Sequence, residues 1–304
     1  MNDLAPGRRL GDRFVLVRRL GEGAEAEAWL AEDTELERRV ALKIAPGEAL
    51  DARSAARLEA ELGRLGSLPP GVAAEVLGWH RADGLAILEM EYLAGGDLGQ
   101  FRGRPYGVFA RALGDVARAL EAVHAAGLVH RDLKCGNVLL DDEGRARLAD
   151  FGVAGLAGQP AGGGSPYNMS PQQLRGEPAS PADDLYAFGA LLYELLSAHP
   201  PWYPDVTPDR VLHEPVPPLL PRHPAPERLR RLALRLMAKS PAQRLATMAE
   251  VRAELAAALA EPPDESAVVL PAAAAPAASS SPTRRWWVPA AALALLAAAA
   301  AVFL

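Results

Sequence analysis

The pattern of apolar residues changes near residue 94 from strand-like to helical. Before it, short runs separated by Gly and Asp turns predict strands at 14–20, 28–31, 39–44, 76–79 and 85–92, with a helix at 54–68. After it, apolar residues recur at helical spacing over 109–126 and 182–196, and a capping box opens a last helix at 247–260. Strands first and helices second predict a two-lobed α+β protein, with lobes 14–93 and 94–260.

The 44 residues at the C-terminus have a different composition. Residues 261–285 are rich in Ala, Pro and Ser, which predicts a flexible linker. Residues 286–304 carry no charge, and as a helix they would span roughly 28 Å, close to the hydrocarbon core of a bilayer. Because Arg284 and Arg285 precede this segment, we expect a transmembrane helix with the lobes on the cytoplasmic side. The alternative is an Ala-rich soluble helix or a disordered tail.

Charge and composition argue against a nucleic-acid binder and rule out a disulfide within the chain. The formal net charge of −6 argues against a general nucleic-acid binder. With one cysteine, Cys135, the chain has no intrachain disulfide. Lysine and asparagine are rare, with three of each. We therefore treat each Lys and Asn as a candidate for a chemical role.

The run His130-Arg-Asp-Leu-Lys-Cys-Gly-Asn137 has the residue types that phosphoryl transfer requires. Asp132 can accept the proton of an attacking hydroxyl, Lys134 can neutralise the γ-phosphate, and Asn137 can hold a metal ion. Asp150, followed by Phe and Gly, supplies a second carboxylate for Mg²⁺.

In this ordered set of motifs, the chain resembles the eukaryotic-like (Hanks-type) protein kinase superfamily, in its bacterial Ser/Thr branch. The resemblance covers roughly residues 14–260. It implies the two-lobed protein kinase fold, with a β-rich N-lobe and a mainly helical C-lobe, and the use of ATP with Mg²⁺, which Mn²⁺ can replace.

The resemblance assigns ATP-binding residues in the first lobe. Gly21, Glu22 and Gly23 match the glycine-rich loop over the phosphates, although Ala26 stands where the family has its third glycine and three glutamates surround the loop. Lys43 in Val-Ala-Leu-Lys matches the lysine that binds the α- and β-phosphates. Its expected partner is Glu61.

Two of these assignments stay open between alternatives. Glu59 competes with Glu61 but would face another side of the predicted helix. Glu91 and Leu93 match the hinge that meets adenine through backbone groups, after Met90 as gatekeeper. Asp97 matches a ribose contact, and it could equally cap the helix that follows.

The end of the activation segment also matches, with departures. Gln172 replaces a family glutamate that pairs with an arginine, here Arg244, and predicts a looser anchor. Asp184 matches the buried aspartate that supports the catalytic loop. Between Phe151 and Gly164 the chain has no Ser, Thr or Tyr. We therefore predict that phosphorylation of this loop does not activate the protein, with Ser165 and Ser170 the nearest hydroxyls.

Together these features predict a membrane-tethered Ser/Thr protein kinase in the cell membrane, single-pass, with a cytoplasmic kinase domain. Its expected partners are protein substrates and the membrane, not nucleic acid, and a homodimer is left open. The alternative from another class is a pseudokinase scaffold. A small-molecule phosphotransferase is disfavoured because that class lacks Lys134 and Asp184 at these positions.

Overall fold

The computed structural model of this 304-residue chain describes residues 4–22, 26–46, 63, 66, 68–151, 155–156, 158 and 164–264. The chain divides into two compact units. The smaller unit comprises the described residues up to Leu68 together with Ala74–Leu93. The larger unit comprises Pro69–Ala73 and the described residues from Ala94 to Asp264.

The smaller unit is built on one six-stranded antiparallel sheet of order β1-β2-β3-β4-β6-β5. Its strands are β1 (Arg9–Leu10), β2 (Phe14–Glu22), β3 (Glu27–Asp33), β4 (Arg38–Pro46), β5 (Val76–Ala82) and β6 (Leu85–Glu91). The order places β4, which carries Lys43, between β3 and β6.

Alternation along these strands makes one face of the sheet apolar. Phe14 and Leu16 on β2, Trp29 and Ala31 on β3, and Val40, Leu42 and Ile44 on β4 are all buried in one cluster. Side chains two residues apart share a face of a strand, so this spacing covers the sheet with a continuous core. The opposite face of β4 carries Lys43, which pairs in register with Ala28 on β3 and Leu88 on β6.

The larger unit is mainly helical. Its helices are α1 (Tyr106–Ala125), α2 (Pro171–Leu174), α3 (Pro181–Ser197), α4 (Pro208–His213), α5 (Glu227–Leu236) and α6 (Met248–Ala260). Short strands β7 (Leu128–Val129), β8 (Val138–Leu140), β9 (Ala146–Leu148) and β10 (Gly155–Leu156) form two small ladders, β7 with β10 and β8 with β9.

Helix α3 is the centre of the larger unit, because it is buried on almost every side. Ser180 begins it with a capping box and a proline follows at the first helical position. Gly189 lets α5 approach closely, since a Cβ there would lie 2.8 Å from Leu236 Cβ and 2.9 Å from the Ala233 carbonyl oxygen. An alanine at this position would push the two helices apart.

The predicted elements in the described residues are confirmed. Strands occur at all five predicted places, and the helices predicted at 109–126, 182–196 and 247–260 correspond to α1, α3 and α6. Thr247 caps α6 by accepting a hydrogen bond from Glu250 N. Most of the helix predicted at 54–68 lies outside the described residues. Within the described ranges no helix is both long and apolar enough to cross a bilayer, and the predicted span 286–304 lies outside them.

Candidate active site

Asp184 on α3 fixes the loop after β7 through hydrogen bonds to the loop backbone. Its carboxylate accepts hydrogen bonds from the backbone nitrogens of His130 at 2.8 Å and Arg131 at 2.7 Å, and its Oδ2 lies 2.8 Å from His124 Nε2. Burial alone would raise the pKa of Asp184, but these hydrogen bonds and nearby histidines hold it below the ordinary value. The predicted position of Asp184, buried beneath the catalytic loop, is confirmed.

Backbone strain marks both ends of the predicted chemical site. Arg131 has φ of 65° and Asp150 has φ of 60°, in the left-handed region that residues other than glycine rarely adopt. Such strain persists only where surrounding contacts impose it, and it concentrates at functional sites. At Arg131 those contacts are the two hydrogen bonds that Asp184 accepts.

Asp132 is buried, and three other side chains hold its carboxylate. Its Oδ2 accepts hydrogen bonds from Lys134 Nζ and from Asn137 Nδ2, both at 2.8 Å. Its Oδ1 accepts from the backbone nitrogen and the hydroxyl of Ser165, both at 2.7 Å. Four donors therefore fix the orientation of this carboxylate.

Lys134 and Ser165 complete a closed set of contacts around Asp132. Lys134 Nζ donates to Ser165 Oγ at 2.7 Å as well as to Asp132. The Lys134 side chain keeps 16% of its surface exposed, so its ammonium group also borders solvent. The geometry places a partly exposed cation beside a buried carboxylate in the larger unit.

Asn137 and Asp150 supply the oxygen ligands that Mg²⁺ prefers. Asn137 ends the 3₁₀ turn Cys135–Asn137, and its Nδ2 donates to the backbone oxygen and Oδ2 of Asp132. Its amide oxygen therefore points away from Asp132. Asp150 follows β9 at its strained backbone position. These residues fit the metal that the sequence predicts, one by an amide oxygen and one by a carboxylate.

Two neighbours of Asp132 are structural. The His130 ring lies 4.6 Å from the Phe151 ring, and its Nε2 lies 3.1 Å from the Ala149 carbonyl oxygen. The Arg131 side chain is 1% exposed, with Nε 3.9 Å from Asp183 Oδ2. Burial lowers the pKa of Arg131. This arginine faces a carboxylate in the interior of the unit.

In the smaller unit, the predicted phosphate-binding residues lie on adjacent strands. Gly21 pairs with Ala28 and Glu22 with Glu27 where β2 and β3 approach their connection. Glu22 forms an ion pair with Arg19 at 3.0 Å, and Glu27 accepts a hydrogen bond from Trp29 Nε1 at 2.9 Å. Two of the three loop glutamates thus have partners of their own. Gly23 lies outside the described residues.

The residues that are predicted to contact adenine and ribose make well-defined local contacts in the structure. Glu91 ends β6, and its nitrogen donates to the Glu75 carbonyl oxygen at 2.8 Å. Leu93 is buried. Asp97 caps the 3₁₀ helix Leu98–Phe101, its Oδ1 accepting from Gly99 N at 2.7 Å. The capping alternative for Asp97 is therefore realised, while its predicted contact with ribose stays a prediction.

The anchor at the end of the activation segment is fully hydrogen-bonded. Gln172 Oε1 accepts from Arg244 Nη2 at 2.7 Å, and its Nε2 donates to the Lys239 carbonyl oxygen at 3.0 Å. Arg244 also donates to Ala182 O and Ala238 O. Burial lowers the pKa of Arg244 to about 10. The amide uses both its oxygen and its nitrogen, while the prediction that this anchor is looser than an ion pair stays a prediction.

The structure brings together Asp132, Lys134 and Asn137 in the larger unit, and it places Lys43 on the central strand of the smaller one. Glu61 lies outside the described residues. Ser165 is a residue that the sequence reasoning missed as part of the site, because it considered this serine only as a hydroxyl near the activation segment. Its neighbour Gly164 has a φ of 129° in the structure, but no pattern in the sequence points to the contact of Ser165 with Asp132.

Comparisons with known proteins agree with this geometry. The family model of the protein kinase domain matches residues 14–254. Similar curated proteins include the DNA damage-responsive serine/threonine-protein kinase RqkA of Deinococcus radiodurans, 38% identical over 255 residues, which cover 78% of this chain and 38% of the relative. The serine/threonine-protein kinase PknA of Mycobacterium tuberculosis is 34% identical over 257 residues, covering 78% of this chain and 59% of the relative.

A third relative, the serine/threonine-protein kinase pkn3 of Myxococcus xanthus, is 31% identical over 277 residues, covering 83% of this chain and 51% of the relative. The chain thus spans about two to three fifths of the length of these curated relatives. The family match covers most of the chain and includes every motif described above. This chain belongs to the protein kinase domain family.

Proposed function

We propose that this chain transfers the γ-phosphate of ATP to Ser and Thr hydroxyls of proteins. The observation that carries the proposal is the Asp132 carboxylate, held by Lys134, Asn137 and Ser165 within 2.8 Å. A carboxylate fixed in this way is placed to orient one incoming hydroxyl rather than to rotate among several. The names of the curated relatives support Ser and Thr as acceptors.

In this proposal each residue of the larger unit has one task. Asp132 orients the acceptor hydroxyl and accepts its proton as the new O–P bond forms and the bond between the γ-phosphorus and the β-phosphate oxygen breaks, with ADP as the leaving group. Lys134 places positive charge beside the γ-phosphate. Asn137 and Asp150 would hold Mg²⁺, which neutralises charge on the phosphates, and Mn²⁺ has the same preference for oxygen ligands.

The smaller unit would bind the rest of the nucleotide. Lys43 would bind the α- and β-phosphates, with Glu61 as its partner, and Gly21, Glu22 and Gly23 would cover the phosphates as the glycine-rich loop. Backbone groups of Glu91 and Leu93 would meet adenine. Lys43 lies on β4, which is paired with β3 on one side and β6 on the other. This pairing supports the assignment, because it limits the movement of the lysine backbone.

We further propose that the chain is a single-pass protein of the cell membrane with its kinase domain in the cytoplasm. The support is the uncharged run 286–304 directly after Arg284 and Arg285. Its substrates are then proteins that reach the cytoplasmic membrane surface.

The test is transfer of labelled γ-phosphate from ATP to casein by the full chain in detergent with Mg²⁺. We expect Lys43→Met and Asp132→Asn to reduce transfer by at least about a thousandfold, because each removes charge from the transition-state contacts. Asp209→Asn is the matched control, since this aspartate side chain is 83% exposed on α4. Equal activity in Asp132→Asn would disprove the assignment.

The alternative function, a pseudokinase scaffold, predicts a different result from the same assay. The full chain would bind ATP and transfer nothing, and Lys43→Met would weaken binding only. The alternative draws on Ala26 in place of a glycine. Against it stands the presence of Lys43, Asp132, Asn137 and Asp150, the base, phosphate-binding and metal-binding groups that phosphoryl transfer requires.

A further inference from the structure

We propose that a groove on the larger unit binds an acidic segment of another protein. The groove has a volume of about 630 Å³, which lies within the roughly 300–1,000 Å³ of ligand-binding clefts. Helix α1, helix α6 and the turn between β8 and β9 form its lining, which includes Arg111, Gly114, Asp115, Arg118, Arg145 and Arg252. We call it the arginine groove. It shares no residue with the site around Asp132, and the proposal concerns binding, not phosphoryl transfer.

The lining of the arginine groove is cationic. It contains four arginines and one carboxylate, that of Asp115. The chain as a whole carries a formal net charge of −6, so this concentration of positive charge is a local feature and does not follow from the overall composition. A cleft lined by charges of one sign attracts ligands of the opposite sign. The groove is therefore suited to an anionic occupant.

Contacts to neighbouring oxygens orient the four guanidinium groups. The partners are the Glu143 carbonyl oxygen for Arg111 at 3.3 Å, Asp115 for Arg118, Asp141 at 2.8 Å and Glu143 at 3.1 Å for Arg145, and Glu121 at 2.9 Å for Arg252. Each guanidinium has three nitrogens and five N–H donors. These contacts engage one nitrogen of each arginine, or two in Arg145, so every guanidinium keeps donors for a further acceptor.

The same side chains remain open to solvent. The exposed fraction is 63% for Arg118, 50% for Arg145 and 49% for Arg252. Of the carboxylates that hold them, only Asp115 belongs to the lining. The groove therefore presents oriented guanidinium groups to solvent, and guanidinium groups bind carboxylates through two parallel N–H donors.

Gly114 gives the groove a floor without a side chain. It lies inside α1, where glycine is less favourable than alanine. A Cβ built at Gly114 would meet no atom within 4 Å, so no packing in the described part of the chain requires glycine here. Its effect is to leave space above the helix backbone between the arginines, which an occupant can fill.

The spacing of the side chains favours an extended peptide over a single small anion. Val108, which is 52% exposed, lies three residues before Arg111 and therefore on the same face of α1. From Val108 to Arg118 the helix rises roughly 15 Å, a distance that about five residues of extended chain span. The occupant that fits is a short segment with carboxylates beside the arginines and an apolar side chain at Val108.

The test is fluorescence anisotropy of a labelled peptide, Leu-Glu-Glu-Asp-Glu, titrated with the full chain in non-ionic detergent. We expect its Kd to be lower by at least about tenfold than that of Leu-Gln-Gln-Asn-Gln, since only the carboxylates differ. The difference should shrink as NaCl rises from about 50 to about 500 mM, because salt screens exposed charges.

Charge reversal in R111E/R118E should raise the Kd of the acidic peptide by at least about tenfold, because two attractions become repulsions. The matched control is R231E/R235E, which makes the same change in net charge on α5. There Arg231 is 71% exposed and Arg235 is also exposed. This control should bind the peptide within about twofold of the wild type.

Gly114→Met tests the groove without changing any charge. Methionine is a better helix former than glycine, so the Tm should not fall, while the added side chain occupies the groove. We expect the Kd to rise by about tenfold. Gly107→Met is the matched control, since a Cβ at Gly107 of α1 also meets no atom within 4 Å but this residue is outside the lining. It should bind within about twofold of the wild type.

Three results would overturn the proposal. Equal Kd values for the acidic and the amide peptide would show that carboxylates are not recognised. An unchanged Kd in R111E/R118E or in Gly114→Met would place the peptide elsewhere on the chain. Tighter binding of a single-stranded DNA of about ten nucleotides than of the peptide would identify a nucleic acid as the occupant. Because anisotropy measures binding alone, none of these results bears on the proposed phosphotransfer.

Discussion

At the scale of single residues, we predict that Ser165 positions Asp132 for the proposed reaction. Its hydroxyl donates to Asp132 Oδ1 and accepts from Lys134 Nζ, both at 2.7 Å. We expect Ser165→Ala to lower kcat about tenfold, because loss of one hydrogen bond to a charged group is worth about 1.5 kcal/mol. The measurement is steady-state phosphorylation of casein at saturating ATP.

The control for this prediction is Ser165→Thr, which keeps the hydroxyl and should retain activity within about threefold. A KM effect with unchanged kcat in Ser165→Ala would show that the hydroxyl binds substrate instead of positioning Asp132. Unchanged kinetics in both variants would contradict any role for the hydroxyl.

Ser165 also shows what local sequence can predict at this scale. Asp132, Lys134 and Asn137 are candidates from the sequence, because they lie in one eight-residue run whose residue types and order suit phosphoryl transfer and match the family. Ser165 lies 33 residues from Asp132 in the chain. Their contact depends on how the activation segment returns to the catalytic loop, which no periodicity in the sequence encodes.

At the scale of elements, the pair Gln172–Arg244 ties α2 to the turn that precedes α6. Both residues are buried, and the guanidinium donates to the Gln172 amide oxygen at 2.7 Å. We expect Gln172→Ala to reduce the free energy of unfolding by about 1.5 kcal/mol, since a buried charged donor loses its acceptor. This corresponds to a Tm lower by about 3–6 °C.

Calorimetry of the wild type and of Gln172→Ala would measure the difference. Gln243→Ala is the matched control, because Gln243 is exposed and its loss should shift Tm by less than about 1 °C. A Tm equal to that of the control would mean that the remaining acceptors of Arg244 are sufficient.

A second element-scale feature is a charged network that links strands of the sheet. Arg13 donates to both carboxylate oxygens of Asp33, at 2.9 and 2.7 Å, and lies 3.3 Å from Glu89 Oε1, which Arg38 also contacts. The hydrogen bonds from Arg13 lower the pKa of Asp33 to about 2, against the opposing effect of burial. The sequence shows these charges but not their pairing, because partners on β3 and β6 meet only through the strand order.

This network predicts a pH dependence of stability. Because the pKa of Asp33 is lower in the folded than in the unfolded state, its contribution is complete above about pH 4 and is lost as pH falls towards 2. Arg13→Gln should remove about 2 kcal/mol at neutral pH and flatten the pH dependence below pH 4. Urea midpoints followed by tryptophan emission, with exposed Arg39→Gln as control, would measure both effects. Parallel curves for the wild type and Arg13→Gln from pH 2 to 7 would refute this role.

At the scale of the whole molecule, the order of elements was predictable because apolar residues recur at strand spacing in the first lobe and at helical spacing in the second. The strands alternate and α3 is apolar all round, so the change from one pattern to the other marks the border near residue 94. The assembly of the site was less predictable, since Asp184, Ser165 and Arg244 reach their partners across long stretches of chain. The family resemblance supplied Asp184 and Arg244, and the structure supplied Ser165.

The last prediction separates catalysis from membrane attachment. Residues 1–264 should keep casein phosphorylation within about twofold of the full chain, because the domain match ends at residue 254 and Asp264 still closes the fold. Asp264 Oδ2 accepts from Arg230 Nη2 at 2.8 Å, and its nitrogen donates to Ala225 O at 3.2 Å. A chain cut at 260 would lose both contacts.

Only the full chain should sediment with vesicles of phosphatidylglycerol and phosphatidylcholine and resist an alkaline wash. Leu295→Arg places a charge near the middle of 286–304, where insertion becomes less favourable by about 3 kcal/mol, and should release the protein. Leu295→Ala should not. If the full chain and residues 1–264 both stay in the supernatant, 286–304 is not a membrane anchor, and an active kinase would then have to reach its substrates by other means.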